Sequence, residues 1–565
     1  MGGYEMRLPA IDTQHVSSAS IVTAARGTMS QRRYVQFLII GSGIAGATAA
    51  LTLADQGLEV LLINCGEDLL DGNSTLAQGG IIYQSATTQE GLPPKPGQRH
   101  DARSLEHDIL VAGHDYNYQR AVRWLSRKGP EYVEEILIKR AGIAFDKNAD
   151  GSFHLTREGG HSVPRILHKA DYSGRAIMEG LALQVAKHPH ITCLHHKAAI
   201  DLLTTQHHAR HAQCRYEVGN RCVGAYVLDT ITGEPETILA DWTILATGGT
   251  GRVFLHSTNA EACVGTGIAM AARAGVELSN LEFMQFHPTA LFDQRSSRRP
   301  LITEAMRGEG AILLNAKHQP FMRKYDKRGD LAPRDIVSQA MMEEMLHSGS
   351  PYLFLDASRI ELDLLQRFPT VFEQCQKIGI DIRKDPIPVV PCAHYFCGGI
   401  LTDLHGRTSL KGLFAVGECA CTGLHGANRL ASTSLLEGLA WGASCGEYLG
   451  ILSQRSRSLS GKVRSAIPDW HDEGDEHADD PALVAQDWAN IRNTMWNYVG
   501  ISRTQARLRR AFEDMRVLVR HIHDFYKRTH ISQSLIQLFH GSQTAYAITQ
   551  AAMRNPQSIG CHHRT

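Results

Sequence analysis

The residues best suited to chemistry by type and spacing are glycines. Gly41, Gly43 and Gly46 stand in GxGxxG spacing directly after the apolar run Val35 to Ile40, in the stretch VQFLIIGSGIAG. In that spacing the first glycine permits a tight turn and the second lets backbone approach a pyrophosphate. The third lets a helix pack closely on a strand. Ser42 and Ala45 fill the turn between them. The chemistry is the holding of a dinucleotide, whose phosphates face the free N–H groups and positive dipole end of a helix N-terminus. Elements able to position those groups are present. Val35 to Ile40 reads as a strand, Ala45 to Gly57 as a helix and Leu58 to Asn64 as a second strand, which makes a βαβ unit. Two further stretches suit close approach of backbone to a ligand. One is the loop Asp71 to Gly80, carrying Asn73, Ser74, Ala77, Gln78, Gly79 and Gly80. The other is WTILATGGTG (242–251), a short buried strand running into Thr247, Gly248 and Gly249, for which an ordinary tight turn is the alternative.

A rival reading exists for the first stretch. Arg32 and Arg33 precede a long uncharged segment, as in a twin-arginine signal or a membrane span. The glycine spacing and the polar Gln36, Ser42, Thr48 and Thr52 inside the segment argue against it. Composition narrows the class further. At 565 residues the chain has room for two to four domains. Lys plus Arg and Asp plus Glu both number 58, so nothing marks a nucleic-acid or membrane surface. Twelve irregularly spaced cysteines fit a reducing compartment, hence a cytoplasmic location, and not a disulfide framework. Cys419 and Cys421 form CxC with no matching pair. The Cys561-His562-His563 run is too isolated for a metal site, so no metal is expected.

Read in order, residues 1–34 lack a core pattern and are expected to be a disordered arm. The apolar period makes 104–140 mostly helical, GSFHLTREGGHS (151–162) a loop, and 191–204 and 222–230 strand-like. Residues 281–390 change texture and read as an inserted capping domain. The nucleotide-binding domain is therefore discontinuous, 35–280 and 391–465. An acidic linker, Asp469 to Asp480, leads to helical periodicity over 482–565.

The segments ATGG, QFHPTA, RGEGA, LAPRDIV, HYFCGG, VGE and HGANRLA…SLLE occur in that order. Together they resemble the flavoprotein family of succinate dehydrogenase and fumarate reductase, from about Val35 onward. The resemblance implies an α/β fold: a Rossmann-like FAD-binding domain, an inserted α+β capping domain and a C-terminal helical bundle. Two features resemble the aspartate-oxidising branch. In LTREGGHS (155–162) the carboxylate of Glu158 stands where the dicarboxylate reductases carry a glutamine. The respiratory enzymes attach FAD through a histidine four residues before the AQGG stretch, and here that position is Asn73, which implies noncovalent FAD. The implied reaction is oxidation of L-aspartate to iminoaspartate. The electron acceptor is O2, giving H2O2, or fumarate, giving succinate. This is the first step of de novo NAD synthesis and feeds quinolinate synthase. The alternative is a fumarate reductase or succinate dehydrogenase subunit docked on an iron–sulfur partner. At one point the pattern departs: Asn64, not an acidic residue, stands at the ribose position, with Glu67 nearby.

The resemblance also assigns roles. A dicarboxylate needs cations, and arginine supplies planar bidentate recognition. Arg429 is the implied clamp, with His287, His394 and Thr303 as donors and Glu304 on the cap side. Arg334 resembles the arginine that moves a proton in this family. It can do so only with a carboxylate relay, Glu304 or Asp335, because a guanidinium is a poor base; a salt bridge of Arg334 to Asp335 is the plain alternative. Glu418 resembles the turn residue that holds ribityl or ribose hydroxyls. Ser434 and Leu435 open a helix whose SLLE reads as a capping box, and whose N-terminus would face the flavin.

Overall fold

A computed structural model describes residues 31–84, 99–212, 216, 219–293, 295–456, 458–471, 474 and 480–565. The organising sheet is built on the strand Gln31–Ile40, which lies parallel to Val60–Ile63 on one side and to Pro235–Leu245 on the other. Ile191–Leu194 extends the sheet beyond Val60–Ile63, also parallel. Strand Pro235–Leu245 branches on its far side. Its first half pairs antiparallel with Cys222–Asp229, which pairs with Lys197–Thr204, while its last residues pair parallel with Leu413–Ala415. The central strands are buried on both faces, which explains why their sequences are continuous apolar runs and do not alternate.

Residues 31–34, expected to belong to a disordered arm, are the start of this first strand, and residues 1–30 of that expectation lie outside the described residues. Arg32 and Arg33 are not spare charges. Arg32 pairs with Asp469 at 2.7 Å and Arg33 with Glu236 at 3.3 Å. The uncharged stretch after them is strand, turn and the helix Ile44–Ala54, which is buried almost all round. No described helix is long and apolar enough to cross a membrane.

What buries that helix is a stripe of glycines. Helix Thr433–Arg455 carries Gly438, Gly442 and Gly446 one turn apart. A Cβ on Gly442 would stand 2.5 Å from the Ala45 carbonyl oxygen, and one on Gly446 would stand 2.7 Å from Thr52 Cβ. Backbone therefore meets backbone, and both helix N-termini arrive at the same edge of the sheet.

Above that edge lies a four-stranded antiparallel sheet, Met284–Leu291, Ile387–Phe396, Leu353–Asp356 and Ile312–Leu314, with helix Arg334–Ser348 against it and a core of its own. The boundary expected at 390/391 falls within strand Ile387–Phe396, which begins in the capping layer and returns to the nucleotide-binding body without a break. Helices Pro481–Val499, Gln505–Arg528 and Gln533–Arg554 pack on one another as the expected C-terminal helical bundle, whose apolar cluster is continuous with that of the main sheet. Part of the expected linker 469–480 lies outside the described residues.

Strand and helix meet most closely at Gly46, where an added Cβ would stand 1.9 Å from the Gly41 carbonyl oxygen. Gly46→Ala should lower stability by about 1–3 kcal/mol through overpacking. Gly461→Ala, where nothing lies within 4 Å of the added methyl, should be neutral. Urea-unfolding midpoints compare the two; equal midpoints would mean that the helix can slide away from the strand at no cost.

Candidate active site

The parallel strands end together. Beyond Ile40, Ile63 and Leu245, and just past Ala415, the chain opens into a cavity of about 1460 Å³ between the main sheet and the capping layer. This is the carboxyl edge at which open α/β sheets bind ligands. Of the residues singled out for a dinucleotide, Gly41, Ser42, Gly43, Ala45, Asn64, Asn73, Ser74, Ala77, Gln78, Gly79, Gly80, Thr247, Gly248, Glu418, Ser434 and Leu435 line it. Gly46 and Gly249 do not. Gly46 serves the strand–helix contact, and Gly249 leaves room for the Glu418 carboxylate, which would lie 2.1 Å from a Cβ there.

The lining fits a dinucleotide. Gly41 has φ +111°, and a Cβ on it would strike the Ala246 carbonyl oxygen at 2.2 Å, so the turn is open to glycine alone. Helix Ile44–Ala54 begins at Gly43 with no side chain capping it, although Ser74 Oγ accepts from the Ile44 N–H at 3.1 Å. Asn64 is held by its neighbours: its Nδ2 donates to Ser42 Oγ at 3.1 Å and its Oδ1 meets His195 Nδ1 at 2.9 Å. Asn64 lines the cavity and Glu67 does not. Buried Glu418, pushed up to about 7 by loss of solvent, accepts from the Phe396 N–H at 3.0 Å and from Asn73 Nδ2 at 3.3 Å. Asn73 Oδ1 in turn accepts from the Ala260 N–H at 2.8 Å.

A second group of residues faces the other end of the cavity: Glu158, His287, Thr303, Glu304, Arg334, His394 and Arg429 all line it. Glu158 comes from the loop after strand Leu155–Thr156, and Thr303 and Glu304 from the segment before helix Ala305–Gly308. Strands Met284–Leu291 and Ile387–Phe396 bring the histidines, with ring centroids 5.1 Å apart. The capping helix Arg334–Ser348 begins with Arg334. The segment before helix Thr433–Arg455 brings Arg429. Arg334 Nε donates to Glu304 Oε2 at 2.5 Å, and Arg307 Nη2 lies 3.5 Å from Glu304 Oε1. Burial pushes the Glu304 carboxyl up, but Arg334 and Arg307 more than offset this and hold it at about 2. Arg429, buried and close to Arg334, is lowered to about 10. Its guanidinium lies over the Tyr395 ring at 4.7 Å.

Both histidines are pushed well below the usual imidazole range, by burial and then by neighbouring positive groups. They are neutral at pH 7. Arg429 Nη2 donates to His394 Nε2 at 3.4 Å, so the His394 proton sits on Nδ1, 2.9 Å from Thr258 Oγ1. His287 Nδ1 contacts the Thr289 carbonyl oxygen at 3.0 Å, and its buried Nε2 has no partner among the described residues. Glu158 Oε2 accepts from Ser432 Oγ at 2.7 Å, and burial, then Glu304, raises its carboxyl above the ordinary range.

Two readings from the sequence are corrected. Arg334 pairs with Glu304 and not with Asp335, whose carboxylate instead meets His114 at 3.0 Å. SLLE is not a capping box. Helix Thr433–Arg455 starts one residue before Ser434, and Glu437 points into the core, where it accepts from Thr422 Oγ1 at 2.5 Å and Tyr395 Oη at 2.6 Å and meets His425 at 2.9 Å. Two residues were missed. Gln285 stands behind the arginines. Its Oε1 accepts from Arg334 Nη1 at 3.3 Å and Arg429 Nε at 3.4 Å, and its Nε2 donates to Asn428 Oδ1 at 2.6 Å and the Arg429 carbonyl at 2.8 Å. Arg307 is the other. Both lie inside segments already singled out, QFHPTA and RGEGA, and that was the available signal.

The cysteine–histidine run is structural: His562 Nδ1 accepts from Arg503 Nη1 at 2.6 Å, and Cys561 Sγ donates to Asn428 Oδ1 at 3.3 Å. Among the described residues no cluster suited to a metal ion occurs.

Comparison with known proteins places this geometry. A family model described as an FAD binding domain matches residues 36–435, so the class is an FAD-binding flavoprotein and the cofactor is FAD. The L-aspartate oxidase of Pseudomonas aeruginosa is 40% identical over 95% of this chain and 96% of its own length. L-aspartate oxidase 1 of Ralstonia nicotianae is 41% identical over 93% of this chain and 94% of its own. Among solved structures, a mutant chain of E. coli quinol fumarate reductase superposes with a TM-score of 0.81 at 27% identity, covering 95% of this chain and 92% of that one. The chain belongs to the L-aspartate oxidase family.

Asn73 has both ends of its amide engaged by protein and offers no imidazole for attachment. After acid precipitation, FAD should appear in the supernatant. Yellow, fluorescent pellet protein would show a covalent link elsewhere on the chain.

Proposed function

We propose that this chain oxidises L-aspartate to iminoaspartate, with O2 (giving H2O2) or fumarate (giving succinate) as electron acceptor. When bound, FAD supplies the two-electron acceptor and donor. The observation that carries the reading is the charge arrangement around the buried arginines. Arg334, Arg429 and Arg307 are cations, Glu304 is an anion, and the two histidines are neutral. Without Glu158 the corner lacks two negative charges, which a dicarboxylate supplies. Glu158 then decides which one. Ionised, it balances the ammonium of aspartate; protonated, as its raised carboxyl permits, it leaves the corner matched to fumarate or succinate.

Each residue has a part. Arg429 receives a carboxylate, fixed in place by Gln285 and the Tyr395 ring. His394, Thr303 and the unpartnered His287 Nε2 face the same ligand. Arg334 holds or moves a proton at the reacting carbons. Glu304, hydrogen-bonded to Arg334, and Arg307, ion-paired with Glu304 at 3.5 Å, continue from it as a charged relay, which makes an arginine usable in proton transfer near neutral pH. The capping layer excludes water above them. Iminoaspartate is an imine and hydrolyses in water, so its use requires prompt consumption. This suits the first step of de novo NAD synthesis, coupled to quinolinate synthase. The free thiols among the described residues fit a cytoplasmic setting.

Arg334→Leu should reduce turnover by about a hundredfold or more, with FAD retained because Arg334 lies on the capping helix. Stopped-flow flavin bleaching by L-aspartate measures it, and near-normal bleaching would remove Arg334 from the chemistry.

Glu158→Gln should raise the KM for L-aspartate by about tenfold to a hundredfold, the range of a lost charge-assisted bond, and spare fumarate reduction. The carboxyl of Glu158 is raised, so the wild-type advantage with aspartate is present above its pKa and shrinks as the pH falls through it. Succinate inhibition of wild type should strengthen over the same interval and become flat with pH in the variant. Equal loss of both activities at every pH would make Glu158 structural.

A further inference from the structure

The two arginines of the site stand on different layers. Arg334 opens the capping helix, and Arg429 belongs to the body that holds FAD. Gln285 links their guanidiniums from behind. A second link runs along the outside. Residues 113–118 join helices Arg99–Ala112 and Gln119–Tyr132, and they are clipped to the segment just before Arg429 at three points. The Gly113 carbonyl accepts from the Ala427 N–H at 3.1 Å, Asn117 Nδ2 donates to the Leu424 carbonyl at 2.6 Å, and the Tyr118 N–H donates to the Gly423 carbonyl at 2.8 Å. His114 and Asp115 take left-handed backbone, φ 56° and 57°. In that conformation the His114 ring crosses to the capping layer, where Nε2 meets Asp335 Oδ2 at 3.0 Å.

Asp335 follows Arg334 directly in the first turn of the capping helix. That helix has Pro333 at its N-cap and no side-chain cap. Asp335 Oδ1 is buried and without a partner among the described residues, so His114 supplies the hydrogen bond that this carboxylate has.

We propose that His114 is a positioning residue for Arg334: its ion pair with Asp335 ties the first turn of the capping helix to the body that carries Arg429. The inference rests on the role given to Arg334 above. The ion pair is tunable by pH. The Asp335 hydrogen bond raises the His114 imidazole above its ordinary value despite half-burial, and Asp115 adds to the rise. Arg328, from the turn before the helix, and His563 and the Cys561 thiol, from the last segment of the chain, face Asp335 as well. A raised histidine gives its full contribution below the ordinary imidazole value and loses it as the pH rises through the shifted one.

The test is steady-state and stopped-flow kinetics with L-aspartate on FAD-loaded wild type, His114→Ala, Asp335→Asn and the double variant, from about pH 6 to about pH 9. His114→Gln keeps bulk and a donor without charge, and is read in the same way if alanine loosens the loop. At the acid end kcat should fall about three- to thirtyfold, the range of a charge-assisted bond discounted for the partly exposed imidazole. KM should stay within about twofold, since Arg429 is untouched. The deficit should close toward the alkaline end, where wild type loses its own pair, and the double variant should be no worse than either single one. A deficit constant with pH, a change confined to KM, or no deficit would overturn the proposal. If instead Arg334→Leu keeps its turnover, the role of Arg334 fails. If Arg334→Leu is impaired and the His114 variants are not, only the present inference fails.

Discussion

Two guanidiniums sharing one buried corner is the constraint around which the site is arranged. Arg334 and Arg429 are both nearly without solvent, and burial and then Arg334 lower the tolerance of Arg429 for charge. In such a place an unbalanced cation costs several kcal/mol. The protein offsets the repulsion in three ways. Glu304 gives Arg334 a direct counter-charge. Gln285 offers one carbonyl oxygen to both arginines, and its amide end is fixed by Asn428 and the Arg429 carbonyl so that the oxygen cannot rotate away. The Tyr395 ring gives Arg429 a face of negative potential. These measures leave the corner short of negative charge, and in the proposed reaction that shortfall is what an acidic substrate fills.

The fold supplies this corner by bringing separate layers to one edge. Parallel strands end in glycine turns that admit a dinucleotide, and the glycine stripe on helix Thr433–Arg455 lets that helix lie against Ile44–Ala54 at backbone contact. A larger residue at Gly442 would part the helices and move both N-termini away from the cavity. The capping sheet is anchored by a strand, Ile387–Phe396, that begins in one layer and ends in the other. His394 sits in the part of that strand nearest the body, where Ala393 and Phe396 join the main-sheet core, which is why it can touch Arg429 while Val389 and Val390 earlier in the strand belong to the cap.

What was legible in the sequence was what depends on local pattern. The βαβ unit follows from apolar runs and glycine spacing, and each substrate-facing side chain lies in a short segment whose order along the chain is itself informative. What depends on contacts between distant segments was not legible. Gln285 reads as one polar residue in a strand, and only the fold shows that it stands behind two arginines contributed by residues far apart in the chain. SLLE matches a capping box in pattern, but Glu437 is drawn inward by Tyr395, Thr422 and His425, three partners that no local rule supplies. The same holds for Asp335. Its adjacency to Arg334 suggested a pair, yet consecutive residues in a helix project about 100° apart, and each found its partner on a different element.

In the proposed reaction the neutral histidines narrow the route for protons. Protonating His287 or His394 would charge a buried ring and add a cation to a corner that already holds Arg334, Arg429 and Arg307, and burial first, then those cations, push both imidazoles well below their usual range. His287 can orient a carboxylate through Nε2 in the tautomer in which Nδ1 accepts from the Thr289 N–H at 3.2 Å, and His394 holds the Arg429 guanidinium, but both are poor stores for a proton. Glu158 is a poor conduit as well: its carboxylate is tied to Ser432, close against Gly79, and among the described residues makes no hydrogen bond to Arg334, Glu304 or Arg307. Of the titratable groups around the corner, that relay is the one in which each member has a hydrogen-bonded or ion-paired neighbour of opposite charge. A proton that leaves Arg334 must be replaced, and Glu304, held at about 2 by the two arginines flanking it, carries none of its own, so its place in the relay is to pass one on from the Arg307 side. In the proposed reaction the proton path and the substrate clamp are thus two uses of one electrostatic arrangement, and the geometry that disfavours histidine as the acid is the same geometry that suits a dicarboxylate.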